Sequence, residues 1–361
     1  MLGPPIYQSW IYMTSQNNVG SHAAVPKLTE FRAQLPMLGG AGVCLVVDEM
    51  HDSLEPLLEA IGVQMNYQPK LTAAEVPAAL AAQPYEGLIV RSKLRVTAEL
   101  LAHGPHLRYV GRAGAGVDNI DEAAMAAAGV TLLNAPEGNR DAVGEYAIGL
   151  VLALFRNIAR ADHEVRQGQW QREANRGEEI GGKTIGLLGY GHMGRAFARR
   201  LGAFGCTVLA HDTDPNCAPD AHATLVSLAE LQARADVLSL HIPYSAANHH
   251  FVNEELLAGF AAPLWVLNTA RGEVLDQAAL VRGLQSGRLL GAALDVLENE
   301  RLGVLTTAQQ GTFNFLKNAP NVVLSPHIGG WTHQSYARIN KVLVEKIRAF
   351  RAGPVGRAVG S

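Results

Sequence analysis

The stretch Lys183-Thr-Ile-Gly-Leu-Leu-Gly189-Tyr-Gly191-His-Met-Gly194-Arg-Ala-Phe-Ala-Arg-Arg200 decides the fold. It runs from an apolar strand through G-x-G-x-x-G into a helical pattern, the order in which a dinucleotide-binding βαβ unit opens. Gly189 makes the tight turn, Gly191 lets backbone approach a pyrophosphate, and Gly194 lets the helix pack on the strand. The helix N-terminus, with His192 and Met193, supplies free N–H groups and a partial positive charge for the phosphates. Asp212 ends the next strand, about 20 residues on, where a carboxylate accepts from the adenosine ribose hydroxyls and repels a 2′-phosphate. Thr213 and Asp214 follow it and add no cation. The pattern therefore favours NAD over NADP.

Outward from this unit, short β-branched runs alternate with helical patterns from residue 42 onward, which is how parallel sheets in α/β proteins read. A first series of strands is expected at Val43–Val47, Val63–Tyr67, Gly87–Val90 and Leu107–Val110. A second is expected at Thr131–Leu133, Ile185–Leu188, Val208–Ala210, Val237–Leu240, Trp265–Asn268, Gly291–Leu294 and Val322–Leu324. Between Asp141 and Arg166 lies one long helical pattern, apolar on nearly every face in its middle, so it must be covered on all sides. The segment Arg301–Asn318 has Thr, Gln and Gly clusters and reads as a long surface loop.

Composition bounds the function. The chain has 361 residues, room for about two domains, with 48% hydrophobic and 17% charged residues. So few charges, with 37 glycines, exclude disorder as the main state and fit sheets buried on both faces. A formal charge of −3 and the lack of any long Lys/Arg run leave no footprint for nucleic acid or anionic membrane. The three cysteines, Cys44, Cys206 and Cys217, form neither a disulfide framework nor a C-x-x-C pair, which points to a reducing, cytoplasmic setting. Residues 1–40 read as a disordered extension, with Met37 as a candidate start.

Three further segments carry polar residues at expected strand ends, where a doubly wound sheet binds its ligand. They are Asn268-Thr-Ala-Arg271-Gly272, Leu294-Asp295-Val-Leu-Glu-Asn-Glu300 and Ser325-Pro-His327-Ile-Gly-Gly-Trp331. Together with Val90-Arg-Ser, Gly111-Arg-Ala-Gly-Ala-Gly-Val-Asp-Asn-Ile-Asp121 and Asn134-Ala-Pro-Glu-Gly-Asn, in this order, they make the chain resemble the D-isomer-specific 2-hydroxyacid dehydrogenase family over roughly residues 42–352. Within that family it is most similar to the short D-3-phosphoglycerate dehydrogenases.

The resemblance implies an α/β fold of two Rossmann-like parallel-sheet domains, one flavodoxin-like and one NAD-binding, with a cleft between them. Residues 41–119 and 327–352 would form a discontinuous substrate domain and 120–326 the NAD-binding domain. It implies Arg271 as the arginine that holds the substrate carboxylate, Glu300 as the acidic partner and His327 as the proton donor. Physics supports these roles: a guanidinium grips a carboxylate bidentately, and a positioned imidazolium gives general acid help of about 10²–10⁴-fold. By the same resemblance Thr269, Ala270, Asp295, Ile242, Gly329 and Gly330 would line the cofactor. The run Arg112–Val117, with Gly114, Ala115 and Gly116, would offer N–H groups to the substrate carboxylate. Arg91, Ser92 and Lys93 would meet the far end of the substrate.

Departures from the family pattern are Leu94 and Ile242, each where a Thr is usual, Trp331 in place of a small residue after H-I-G-G, and Arg301 in place of Pro. Leu94 is expected to remove a hydroxyl near the cofactor and Trp331 to narrow the pocket. His249-His250 is set aside as a metal site, because no carboxylate or Cys stands at ligand spacing nearby. Trp170 is expected at an interface between two copies. No regulatory domain of the kind found in long members is expected. The implied activity is NAD-dependent interconversion of a D-2-hydroxy acid and its 2-oxo acid, first 3-phosphoglycerate. Glyoxylate or hydroxypyruvate reduction, an NAD(H)-sensing binding protein and a formate dehydrogenase stand as alternatives.

Overall fold

The computed structural model describes residues 42–353; the expectation for residues 1–40 lies outside them. Twelve strands alternate with helices. The strands β1 (Gly42–Val46), β2 (Val63–Tyr67), β3 (Gly87–Val90), β4 (Tyr109–Arg112) and β5 (Thr131–Asn134) form one sheet in the order β2-β1-β3-β4-β5, parallel throughout. The strands β6 (Thr184–Leu188), β7 (Thr207–His211), β8 (Thr224–Leu225), β9 (Val237–Leu240), β10 (Leu264–Asn268), β11 (Leu289–Leu294) and β12 (Val322–Leu324) form the other. Its order is β12-β11-β10-β9-β6-β7-β8, again parallel. Strand β3 is buried at every position and so is β9, as unbroken apolar runs covered on both faces require.

The helices used below are α1 (Leu54–Glu59), α2 (Pro136–Phe155), α3 (Ile158–Arg166), α4 (His192–Leu201), α5 (Gln277–Gln285), α6 (Thr307–Leu316) and α7 (His333–Ala352). The all-round apolar middle of α2 is covered as its composition demands. Ala147, Leu150, Val151, Leu154 and Phe155 share a core with Phe197 and Leu201 of α4 and Ile185 and Leu187 of β6, and α7 lies against another side. Among the described residues no single helix is long and apolar enough to cross a membrane.

Three expectations are corrected. Thr131–Leu133 does not join the second series: β5 pairs with β4 in the five-stranded sheet, and its short polar-flanked sequence holds nothing that could decide between two parallel partners. The Asp141–Arg166 pattern is two helices, broken where Asn157 takes φ +54 and bent by 63°. The segment expected as a loop, Arg301–Asn318, contains α6. Its start is a capping box between Thr306 and Gln309, so the polar residues that hid the helix are those that nucleate it. Leu94 is also placed otherwise than expected. It is 3% exposed inside the core of the five-stranded sheet and takes the place of a core side chain, away from the cleft.

Each sheet has one point where strand order reverses, and ligands of such sheets bind at the carboxyl ends of strands there. In the first sheet it lies between β1 and β3, where the buried Asp48 accepts from the Arg91 N–H at 2.6 Å. In the second it lies between β6 and β9. There Gly189, at φ +96, passes so close to His241 that a Cβ would lie 2.8 Å from its carbonyl carbon. Residues from both points line one cleft.

Candidate active site

The cleft has a volume of about 520 Å³, within the range of small-molecule sites. From the second sheet come Gly191, His192 and Met193 after β6, His241 and Ile242 after β9, Thr269, Ala270 and Arg271 after β10, Asp295 after β11, and His327 and Gly330 after β12. From the first sheet come Arg91, Ser92, Arg112, Gly114, Ala115 and Gly116. All of these except His241 were expected site residues, and they are thus brought together.

The loop carrying His327 is tied down by one buried carboxylate. Asp295, 2% exposed, accepts from the Ser325 hydroxyl at 2.7 Å, the Ile328 N–H at 3.0 Å and the Gly329 N–H at 2.7 Å. Its carbonyl accepts from the His327 N–H at 2.8 Å. His327 itself sits at φ +57, a left-handed conformation that a non-glycine residue holds only when its surroundings impose it. Asp295 thus serves the His327 loop first. Glu300 lies 2.9 Å from His327 Nδ1, which leaves Nε2 as the nitrogen that can exchange a proton with a ligand.

Three guanidiniums reach the same cleft. Arg271 donates from Nε to Asp118 at 2.7 Å and from one terminal nitrogen to its neighbour's carbonyl, Ala270 O, at 2.7 Å. Asn268, fully buried, shapes this loop by accepting from the Ala270 N–H and donating to the Arg271 carbonyl. Glycine at 116 leaves room for the Arg271 guanidinium, which a Cβ there would overlap and displace. Arg112 has its Nε buried without a partner among the described residues. Burial and the charges of Arg271 and Arg91 push its pKa down to about 10. Arg91 stacks on two aromatic rings. Lys93 does not join them: its ammonium donates to the carbonyls of Val47 and Pro69, both at 2.8 Å, and so its expected contact with substrate is corrected. Adjacent in sequence to two cleft residues, it points the other way.

The residues fit a dinucleotide. A Cβ on Gly191 would meet nothing within 4 Å, so the turn at the start of α4 opens onto free space beside unpaired helix N–H groups. Thr269 Oγ1, Asn139 Oδ1 and His241 Nδ1 are buried polar atoms of cleft residues with no partner among the described residues, and such atoms call for a polar ligand. Asp212 stands beside the glycine turn, accepting from the Tyr190 N–H at 2.6 Å. Gly194 cannot carry a side chain, since its Cβ would fall 2.4 Å from the Gly189 carbonyl. Gly329 and Glu300 are not among the residues lining the cleft; they stand in the His327 loop and beside the imidazole respectively.

His250 corrects the sequence view of its surroundings. Asp276 and Glu298, far away in sequence, lie next to it, with ligand atoms within 4.8 Å of one another. Their bonds are otherwise accounted for. Asp276 caps α5 through the Ala278 and Ala279 N–H groups, and Glu298 accepts from the Gln277 N–H while pairing with His250 at 2.8 Å. Sequence reasoning also passed over Asp118, Asn268 and His241. Asp118 stood inside the quoted Gly111–Asp121 motif, but nothing in sequence links it to Arg271.

Removing the Asp295 carboxylate with Asp295→Ala leaves two buried N–H groups and a hydroxyl unpaired, and kcat is expected to fall about 100-fold, as for a misplaced reacting group. A kcat within threefold of the parent would show that the loop holds without it. His241 gives a pH prediction. Burial pushes its pKa from 6.5 down to about 4, so between those values the unfolded chain binds a proton that the folded ring refuses. Stability contributed by the neutral ring is therefore lost as pH falls through that window. His241→Gln is expected to flatten the dependence of the urea midpoint on pH there, and an unchanged slope would assign it to other groups.

Comparison with known proteins agrees with this geometry. The model of the D-isomer specific 2-hydroxyacid dehydrogenase, NAD binding domain, matches residues 148–329. A hydroxypyruvate reductase of Thermotoga maritima is 38% identical over 261 residues, 72% of this chain and 83% of the relative. A D-3-phosphoglycerate dehydrogenase of Mycobacterium tuberculosis is 38% identical over 277 residues, 76% of this chain but 51% of the relative, so the chain spans about half the length of that enzyme. The crystal structure of a glyoxylate reductase from Paecilomyes thermophila superposes with a TM-score of 0.77 at 28% identity, covering 86% of this chain and 96% of that one. The chain belongs to the D-isomer specific 2-hydroxyacid dehydrogenase family, as an NAD-dependent oxidoreductase.

Proposed function

We propose that the protein interconverts a D-2-hydroxy acid and its 2-oxo acid, and that the preferred pair is 3-phosphoglycerate and 3-phosphohydroxypyruvate. The observation that carries the substrate choice is the convergence of Arg91, Arg112 and Arg271 on one cleft. A monoanionic acid such as glyoxylate would neutralise one guanidinium and leave Arg112, already depressed by burial and by its two neighbours, without a counter-charge. A phosphate at the far end supplies it. Hydroxypyruvate is the alternative, favoured by the name of the Thermotoga maritima relative.

Gly191, His192 and Met193 at the start of α4 would hold a nicotinamide dinucleotide, which when bound would supply hydride chemistry. Arg271 grips the substrate carboxylate with the donors that Asp118 and Ala270 leave free, helped by the N–H groups of the Gly114–Gly116 run. This fixes the orientation of the carbonyl in the cleft. As the carbonyl oxygen gains negative charge, His327 Nε2 delivers a proton to it, and the Glu300 carboxylate balances the imidazolium. In the oxidative direction neutral His327 accepts the hydroxyl proton. We read the exposed Ile158, Val165 and Trp170, 84% exposed, as a face covered by a second copy, making a homodimer; sedimentation as a monomer at micromolar concentration would remove that reading.

NADH oxidation with a panel of 2-oxo acids tests the function. Phosphohydroxypyruvate is expected to give the highest kcat/KM. Arg112→Met is expected to raise its KM at least tenfold, the loss of one charge-assisted contact of roughly 1.5 kcal/mol or more, and to affect glyoxylate less. Equal or better use of hydroxypyruvate by the parent enzyme selects the alternative, and tight NADH binding with no turnover of any acid selects a sensor.

A further inference from the structure

We propose that Trp331 and Tyr336 are positioning residues that set selectivity for the far end of the substrate by holding Arg91 in place across the mouth of the cleft. The inference rests on the reading above that this end carries an anionic group. The Arg91 guanidinium carbon lies 4.5 Å from the centre of the Trp331 ring and 4.9 Å from that of Tyr336, and the two rings pack at 5.3 Å. Aromatic contacts of this kind engage the face of the guanidinium, and apart from the hydrogen bond it gives to the Tyr336 oxygen its in-plane N–H edge is left free. Arg271 is already paired with Asp118, whereas no carboxylate pairs with Arg91 among the described residues. The free edge is thus available to phosphate or carboxylate in the bidentate geometry that favours arginine.

The stack joins parts of the molecule that come from different sheets. Arg91 follows β3, and its backbone is pinned by Asp48. Trp331 ends the turn that carries His327, donating its N–H to the Ile328 carbonyl at 2.9 Å. Tyr336, in the first turns of α7, is anchored by its hydroxyl to the Glu49 carbonyl at 2.8 Å and by the edge-on ring of His51. The indole is 58% exposed, so burial of its own surface does not explain its position; the cation beneath it does. A long arginine side chain left unstacked would lose rotamer freedom on meeting the substrate, and the rings remove that freedom beforehand. Trp331, expected from sequence only to narrow the pocket, here orders its charge.

The test compares Trp331→Ala, Trp331→Phe, Arg91→Met and the double variant Arg91→Met/Trp331→Ala in the full chain. The kinetic readout is the ratio of kcat/KM for phosphohydroxypyruvate to that for glyoxylate. The binding readout is calorimetric titration of 3-phosphoglycerate into the enzyme–NADH complex, a pairing that cannot turn over. Trp331→Ala is expected to lower the ratio about tenfold through KM rather than kcat and to weaken 3-phosphoglycerate by a similar factor, the size of a partly desolvated cation–π contact. Trp331→Phe should restore most of it, and Trp331→Ala should add little once Arg91 is gone. A loss shared equally by glyoxylate, or additive with Arg91→Met, would assign Trp331 to support of the His327 loop and overturn the proposal. A parent enzyme indifferent to a second anionic group overturns both this and the substrate reading, an outcome recognisable before any variant is made.

Discussion

A buried carboxylate at the end of β11 organises the reactive side of this cleft. Asp295 is taken out of water and would be costly there unpaired, but three donors and the short loop after β12 satisfy it. The same bonds force the chain through a left-handed residue at His327 and aim its ring between Glu300 and the cleft. Local backbone strain at a site is held by interactions that over-determine it, and here those interactions are visible. If the carboxylate let go, the imidazole would lose its place relative to Arg271, although neither contacts Asp295 through its side chain.

Much of the architecture was legible because its signals are local. The glycines of the β6–α4 turn each have a reason in the sequence motif, the tight turn, the approach of backbone to a pyrophosphate and the packing of helix on strand, and the structure adds what each faces: Gly189 the His241 carbonyl, Gly194 the Gly189 carbonyl, Gly191 open space. Strands β2, β3, β9 and β12 have the bounds expected from the sequence. The imidazole–carboxylate pair followed from motif order. What escaped depends on contacts made by residues distant in sequence. Asp118 and Arg271 are separated by most of the second sheet, and nothing in either segment announces the other. His250 gains its carboxylates only when α5 and the loop after β11 fold beside it. Lys93 and Arg91 look alike in sequence, yet one pointed to backbone carbonyls and the other to aromatic rings, a choice set by side-chain direction at the end of one strand.

The misread helix α6 has a different cause. Its residues Thr307–Leu316 include Thr, Gln, Gly and Asn, weak or indifferent helix formers, and among them only Leu316 is fully buried. Propensity and amphipathic pattern are both faint in such a segment, and the helix forms because its first turn is capped by Thr306 and Gln309 and its end packs on the core below. The lesson is that cap chemistry can outweigh composition at the surface.

Charge balance explains why the cleft favours an anion. Arg91, Arg112 and Arg271 face two carboxylates: Asp118 is spent on Arg271, and one oxygen of Asp48 on the Arg91 backbone. Burial, and after it the uncompensated charge of its neighbours, is expressed at Arg112, whose proton is held less tightly than an arginine's usually is. An incoming anion reverses that effect, so part of its binding energy is the relief of repulsion already present in the empty protein. Arg271 follows a strand of one sheet while Arg91 and Arg112 belong to strand ends of the other, so on the proposed reading an anion bridging them would contact loops of both sheets, and the charge that relieves Arg112 would also place the substrate carbonyl near His327.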